Sequence, residues 1–186
     1  HLADLAFRPS IAQFLHGVKH IKTTILDASI QHDVKQYIEG AGITAVISCL
    51  PYYCNLPIAK VAVETHVHYY DLSEDLGTVN QVQALGRSTD KVFASQFGLS
   101  PGLISIISQD MIKSFETVSS VKMRVGALPA SVSNALHYAL SWSTEGLINE
   151  YTNRCLVLDR GQVVSAQALD GVEEIKIDGL TYEAFH

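Results

Sequence analysis

Apolar and polar positions in the first hundred residues fall into segments of two kinds. Ile43 to Leu50 is almost purely apolar and rich in β-branched residues, with Ser48 as a small polar break near its end. Such a run predicts a strand buried on both faces. Pro51 ends it, because proline has no N–H to give to a ladder. Asn55 then reads as the cap of a helix whose apolar positions, Leu56, Ile58, Ala59, Ala62 and Val63, recur on one side. His68 to Leu72 is the next strand, and an acidic cluster, Asp71, Glu74 and Asp75, marks its end. Strand, tight turn, helix and strand make a βαβ unit, which implies a parallel sheet. Ligands collect outside the carboxyl ends of such strands. Here those ends carry Ser48-Cys49-Leu50-Pro51-Tyr52-Tyr53 and Tyr70-Asp71-Leu72-Ser73-Glu74.

The same alternation extends to both sides. His1 to Asp4 reads as a strand with an acidic tip, Pro9 and Ser10 open a helix over Ile11 to Leu15 closed by Gly17, and His20 to Leu26 is a strand ending at Asp27. Gln31 to Glu39 is helical and stops at Gly40-Ala41-Gly42. Leu76 to Arg87 carries Val79, Val82 and Leu85 at helical spacing, and Lys91 to Ser95 is a short buried strand. The order is that of a doubly wound, Rossmann-type parallel sheet that lacks its first βα unit. A dinucleotide fold places a strand and a glycine-rich turn ahead of its acidic strand, so both are expected upstream of Asp4.

Beyond Gly98 the pattern changes. Pro101 to Phe115 reads as a helix, and Val118 to Val125 alternates as a strand. Two hairpins follow, turning at Asp159-Arg160-Gly161 and at Asp178-Gly179. Residues 1–100 are therefore expected to form a partial dinucleotide-binding domain. Residues 101–186 form a partial α+β domain with antiparallel strands, whose last strand runs through Phe185-His186.

Composition narrows the classes. Of 186 residues 47% are hydrophobic and 17% charged, which is globular, and the net charge of −6 comes without any basic block, so nucleic acid is not an expected partner. No apolar run is long enough to cross a bilayer. Three cysteines, Cys49, Cys54 and Cys155, suit reduced thiols in a cytoplasmic protein. His66 and His68 with Cys49 and Cys54 follow no structural-zinc spacing, so no metal is expected.

Four stretches carry a resemblance to the saccharopine dehydrogenase (saccharopine reductase) family and its bacterial branch. They are VISCLPYYCNLPIAKVAVETHVHYYDLSED, the turn GLSPG at Gly98 to Gly102, RVGALPA at Arg124 to Ala130, and LSWSTEGLINEY at Leu140 to Tyr151. The resemblance implies a Rossmann domain with an inserted substrate and dimerisation domain, hence a homodimer. It also implies an NAD(P)-dependent oxidoreductase that makes or breaks a secondary amine on an amino acid. Ser100 stands where those enzymes usually have Asp, and Ile104-Ser105 replace their usual Asp-His. The alternative is a dinucleotide-sensing or dimerisation module that kept the fold and lost the site.

In such a fold Asp4 would bind ribose hydroxyls and repel a 2′-phosphate, which mildly favours NAD over NADP, although Arg8 nearby could accept a phosphate. As a bare Asp after a strand it reads equally as a turn residue. Asp27 and Ala28 would lie beside the adenine. Ser48, Cys49, Leu50 and Pro51 would run under the ribose and nicotinamide, and Gly98, Leu99 and Pro101 would complete the cofactor wall. Tyr69, Tyr70 and Asp71 alternate across a strand, so one tyrosine packs in the core; Tyr70 and Asp71 are the candidates for orienting substrate and moving a proton. Asp71, Glu74 and Asp75 are also explained as a solvated cap. Tyr52, Ser141, Trp142, Ser143 and Gly146 would face an anionic, amino-acid-like substrate, with a core role for Trp142 as the rival reading.

Overall fold

The computed structural model describes residues 1–16, 18–128, 131, 139–140 and 143–186. These form two compact units, His1–Leu103 and Ile104–His186.

In the first unit the predicted alternation is realised with shorter strands. In order they are β1 (Leu2–Asp4), α1 (Pro9–His16), β2 (Thr23–Ile25), α2 (Gln31–Gly40), β3 (Ala45–Ser48), α3 (Tyr52–Glu64), β4 (His68–Asp71), α4 (Leu76–Gly86) and β5 (Phe93–Ala94). β1 and β2 pair in parallel, and so do β3, β4 and β5 in that spatial order. The register sets Ser48 opposite Asp71 and Asp4 opposite Ile25, so the two ends of each pair finish level. Among the described residues no ladder joins β1 to β3.

The core is built where the sequence is most apolar. α2 contributes Val34 and Ile38, α3 contributes Ile58, Ala59, Val61 and Ala62, and Val67, Tyr69 and Val82 close the cluster. Ala59 and Ala62 are completely covered. Each buried Val or Ile contributes about 1.5–3 kcal/mol.

One local expectation is corrected. Asn55 does not cap α3: the helix starts three residues earlier, with Pro51 at the cap and no side-chain cap bond. Asn55 lies in the first turn, 1% exposed, where its amide is drawn inward by the Ser48 hydroxyl. The cap role on this edge belongs instead to Asp75, whose Oδ1 accepts the Thr78 N–H at 2.7 Å at the start of α4. Asp75→Ala is expected to lower stability by about 1 kcal/mol, read as a shift of the urea midpoint at constant slope. An unmoved midpoint would mean that water replaces the cap.

The second unit contains α5 (Leu103–Ile112, which begins at the boundary), α6 (Thr144–Thr152) and two antiparallel ribbons, β6–β7 (Cys155–Asp159, Gln162–Ala166) and β8–β9 (Glu173–Ile177, Leu180–Ala184). Both hairpins turn where expected. Arg160 and Gly161 have φ of 50° and 79°, and Asp178 and Gly179 have φ of 49° and 82°, the two left-handed residues that a type I′ turn requires. β9 ends at Ala184, short of the expected Phe185-His186. Helix α5 begins at Leu103, later than expected, because Pro101 and Gly102 are used in a turn. Val118 to Val125 is not a strand. Alternation needs a neighbouring backbone to become a ladder, and here Lys122 and Arg124 instead reach the Glu173 carboxylate. Those two cations hold the Glu173 carboxyl below its usual range.

Candidate functional site

The carboxyl ends of β3, β4 and β5 open into three turns that are tied together underneath by one set of polar side chains. Ser48, the last residue of β3, is buried and donates its hydroxyl to Asn55 Oδ1 at 2.7 Å. Tyr69, completely buried on β4, donates its hydroxyl to the Asn55 carbonyl at 3.2 Å. Burial, and then the charge of Asp71, push the Tyr69 phenol well above its ordinary range, so it stays protonated. Asp71, also completely buried, accepts the Ser73 N–H on one oxygen and the Ser95 hydroxyl on the other, both at 2.9 Å. Two buried groups in this set, Asn55 Nδ2 and Ser73 Oγ, have no partner among the described residues.

The Gly98–Gly102 turn follows directly. Gly98 N–H donates to the Pro101 carbonyl at 3.1 Å, Leu103 N–H donates to the Gly98 carbonyl at 2.8 Å, and the Ser100–Pro101 peptide is cis. Gly102 has φ +136°, and a Cβ there would meet the Gly98 carbonyl oxygen at 2.2 Å. The turn is therefore a closed backbone ring with Leu99 and Ser100 exposed on its outside. Its letters also spell the G-x-S-x-G of a nucleophile elbow, which would need a histidine on the serine. No histidine is hydrogen-bonded to Ser100 among the described residues.

The two catalytic candidates point to opposite faces of β4, as adjacent strand residues must. Asp71 enters the buried polar set. Tyr70 stands on the other face, its ring 5.5 Å from that of Phe97, in an apolar groove of about 240 Å³ lined also by Ile47 and Leu72. The solvated-cap reading of Asp71 is overturned, because the residue has no exposed surface.

Of the other expected cofactor residues, Cys49 and Leu50 are exposed and Pro51 is half-buried. Tyr52 is half-buried against Tyr53, ring centroids 5.7 Å apart. Asp4 is exposed and takes the N–H of Leu5 at 2.7 Å. Asp27 is lowered by the Ser29 hydroxyl and then the Ser29 N–H, closing a small turn, while Ala28 packs against the core. The Cys54 thiol is raised by burial and then by the Asp27 charge. In the second unit Ser143 caps α6, accepting the Gly146 N–H at 3.1 Å, and Gly146 is buried. Ser141 and Trp142 lie outside the described residues, as does Gly17. The three cysteines are free, and no group of three metal-ligating side chains occurs among the described residues. No described helix is long and apolar enough to cross a membrane.

Sequence reasoning passed over Asn55 as a buried acceptor and Ser95 altogether. A polar residue on the inward side of the predicted helix was the available signal for the first. For Ser95 the signal was its place at the end of the strand expected over Lys91 to Ser95, although the observed β5 stops one residue earlier, at Ala94.

Parallel strands joined by helices, with ligand-facing turns at their carboxyl ends, define a Rossmann-like nucleotide-binding domain, here followed by a domain with antiparallel strands. The chain belongs to the saccharopine dehydrogenase family. The family's NADP binding domain model matches residues 4–97, and its C-terminal domain model matches residues 98–186. The chain is 21% identical over 169 residues to saccharopine dehydrogenase [NADP(+), L-glutamate-forming] of Schizosaccharomyces pombe, covering 88% of this chain and 37% of that protein. It is 25% identical over 158 residues to the protein of the same name from Pyricularia oryzae, covering 80% and 34%. The structure of apo histidine-tagged saccharopine dehydrogenase (L-Glu forming) from Saccharomyces cerevisiae superposes with a TM-score of 0.60 at 18% identity, covering 98% of this chain and 42% of that one, and so shares its fold. The chain thus spans between about a third and two-fifths of the length of these relatives. The mild expectation of NAD finds no support in them: the matching family domain and both curated relatives are described with NADP.

Proposed function

We propose that the whole protein is an NADP-dependent oxidoreductase acting on the C–N bond of an amino-acid-derived imine or secondary amine. The observation that carries this reading is the match of a NADP-binding family domain to residues 4–97, which hold both sets of parallel strands. The residues fit a dinucleotide in one checkable respect. Cys49 and Leu50 stand exposed beside half-buried Pro51 at the carboxyl end of β3, the edge where parallel strands take their ligands. When bound, the nicotinamide supplies or takes the hydride; the chain supplies position and excludes water.

Ser48 to Pro51 run along the nicotinamide side, with Gly98, Leu99 and Pro101 opposite. Tyr70 orients the substrate from the apolar groove, and Tyr52 belongs to the substrate side. Arg8, exposed four residues after Asp4, takes the 2′-phosphate and offsets the Asp4 charge. The same reading makes the protein a homodimer of the cytoplasm, where its three cysteines stay reduced.

Titration of the full-length protein with NADPH and NADH tests the assignment. NADPH is expected to bind about tenfold tighter or more, a difference of about 1.4 kcal/mol, and Arg8→Ala to erase that advantage without weakening NADH. Equal binding of the two in the unsubstituted protein, or an advantage that survives Arg8→Ala, would remove Arg8 from the phosphate site. Nucleotide binding without turnover on any amino-acid-derived imine would favour a sensing module.

A further inference from the structure

Three hydrogen bonds of Asp71 beyond the ladder run to turns of the site. Oδ1 holds Ser73 N–H just past β4, Oδ2 holds the Ser95 hydroxyl, and the Asp71 carbonyl accepts the Phe97 N–H, each at 2.9 Å. Among the described residues no Lys or Arg pairs with it, so its carboxylate is satisfied by these donors together with the neighbouring Tyr69 phenol. Charge-assisted bonds of this kind are stronger than neutral ones. Phe97 is joined directly to Gly98, the residue that closes the Gly98–Gly102 ring at both its N–H and its carbonyl. Asp71 therefore grips the ring immediately before it closes, by one side-chain bond and one backbone bond. A carboxylate with no exposed surface and both oxygens engaged is badly placed to exchange a proton with a bound substrate, and well placed to hold backbone.

We propose that Asp71 is a positioning residue, which fixes the Gly98–Gly102 ring against the end of β4 and through that ring sets the affinity of the site. Its kinetic arm rests on the oxidoreductase reading above; its structural arm does not. Tyr69 does the corresponding service for the neighbouring turn, by holding the first turn of α3 at the Asn55 carbonyl.

Two measurements on the full-length protein test this, with Asp71→Ala, Ser95→Ala and Asp71→Asn as variants. Asparagine can still accept the Ser73 N–H and can donate to Ser95 once that hydroxyl turns, so it is the conservative replacement. In amide hydrogen exchange, Asp71→Ala and the milder Ser95→Ala are expected to speed exchange at Gly98 and Leu103 about tenfold or more, leaving Val34 and Ile38 in α2 unchanged. Asp71→Asn is expected to restore protection. In kinetics, both alanine variants raise KM for NADPH about tenfold, and Asp71→Asn brings it back without shifting either limb of the pH profile of kcat. Unchanged exchange at Gly98 and Leu103 in both alanine variants overturns the tether. An Asp71→Asn protein that keeps its protection but loses turnover and one limb of the pH profile overturns the positioning role in favour of acid–base chemistry. If the unsubstituted protein shows no NADPH-dependent turnover, the oxidoreductase reading falls, and the exchange measurement still decides the tether.

Discussion

A Gly102→Ala protein is expected to lose the Gly98–Gly102 ring and with it about 2–6 kcal/mol of stability. Two costs combine. A methyl at this position would stand 2.2 Å from the Gly98 carbonyl oxygen, 2.7 Å from the Gly98 nitrogen and 2.9 Å from the Gln96 carbonyl oxygen, all of them backbone atoms that cannot swing aside. Overpacking of that kind costs about 1–3 kcal/mol. The φ of +136° adds strain of about 1–3 kcal/mol for any residue with a Cβ. Gly42 is the internal control. It is also left-handed, at φ +63°, but nothing lies within 4 Å of its Cβ position, so Gly42→Ala is expected to cost only about 1 kcal/mol. Urea denaturation of the two variants separates sterics from backbone handedness. Similar midpoints would show that the ring opens without resistance and cannot be a rigid wall of the site.

Tyr69→Ala is the second large effect. The ring has no exposed surface, packs 5.6 Å from that of Phe93, and belongs to the core cluster, so its removal is expected to cost about 3–5 kcal/mol. Tyr69→Phe isolates the hydroxyl and should cost about 1 kcal/mol, the worth of one hydrogen bond. Alkaline pH gives a further signature. Because the folded phenol is raised well above its ordinary range, its stabilising contribution is complete below about pH 10 and is lost as the unfolded tyrosine begins to ionise above that. Tyr69→Phe should therefore flatten the fall of stability above about pH 10. An unchanged slope there would mean that the phenol ionises as easily folded as unfolded.

Strand identity was legible wherever the apolar run was long. Ile43 to Leu50 and His68 to Leu72 both contain the observed strands, and the parallel arrangement followed from the helix between them. The left-handed turn residues Gly161 and Gly179 fixed both hairpins, because few other residues take those angles cheaply. The strand expected over Val118 to Val125 failed for the opposite reason: period-two alternation describes a side-chain pattern, and a ladder depends on which backbone arrives beside it. In the site, the end residues Ser48 and Asp71 were readable from position, since strand ends face the ligand edge. Their depth was not. Whether an aspartate after a strand is a solvated cap or a buried grip depends on Ser95, twenty-four residues on, and local sequence carries no record of that meeting.

The distribution of the core has a consequence for how the first unit holds together. Among the described residues all ten buried apolar ones fall between Val34 and Val82, whereas α1 buries none and β1 is exposed throughout. β1 and β2 share no ladder with β3 to β5 among the described residues; Leu26 and Ala28 pack from the end of β2 against the main cluster, and His1 and Thr24 reach α2 through the Tyr37 hydroxyl. Cooperativity follows shared burial, so the stretch through β2 can open without breaking the contacts that keep α2, α3 and α4 on their sheet. The Asp4 edge and the tied turns of β3 to β5 thus belong to two units of local stability, the first fluctuating open more often than the second.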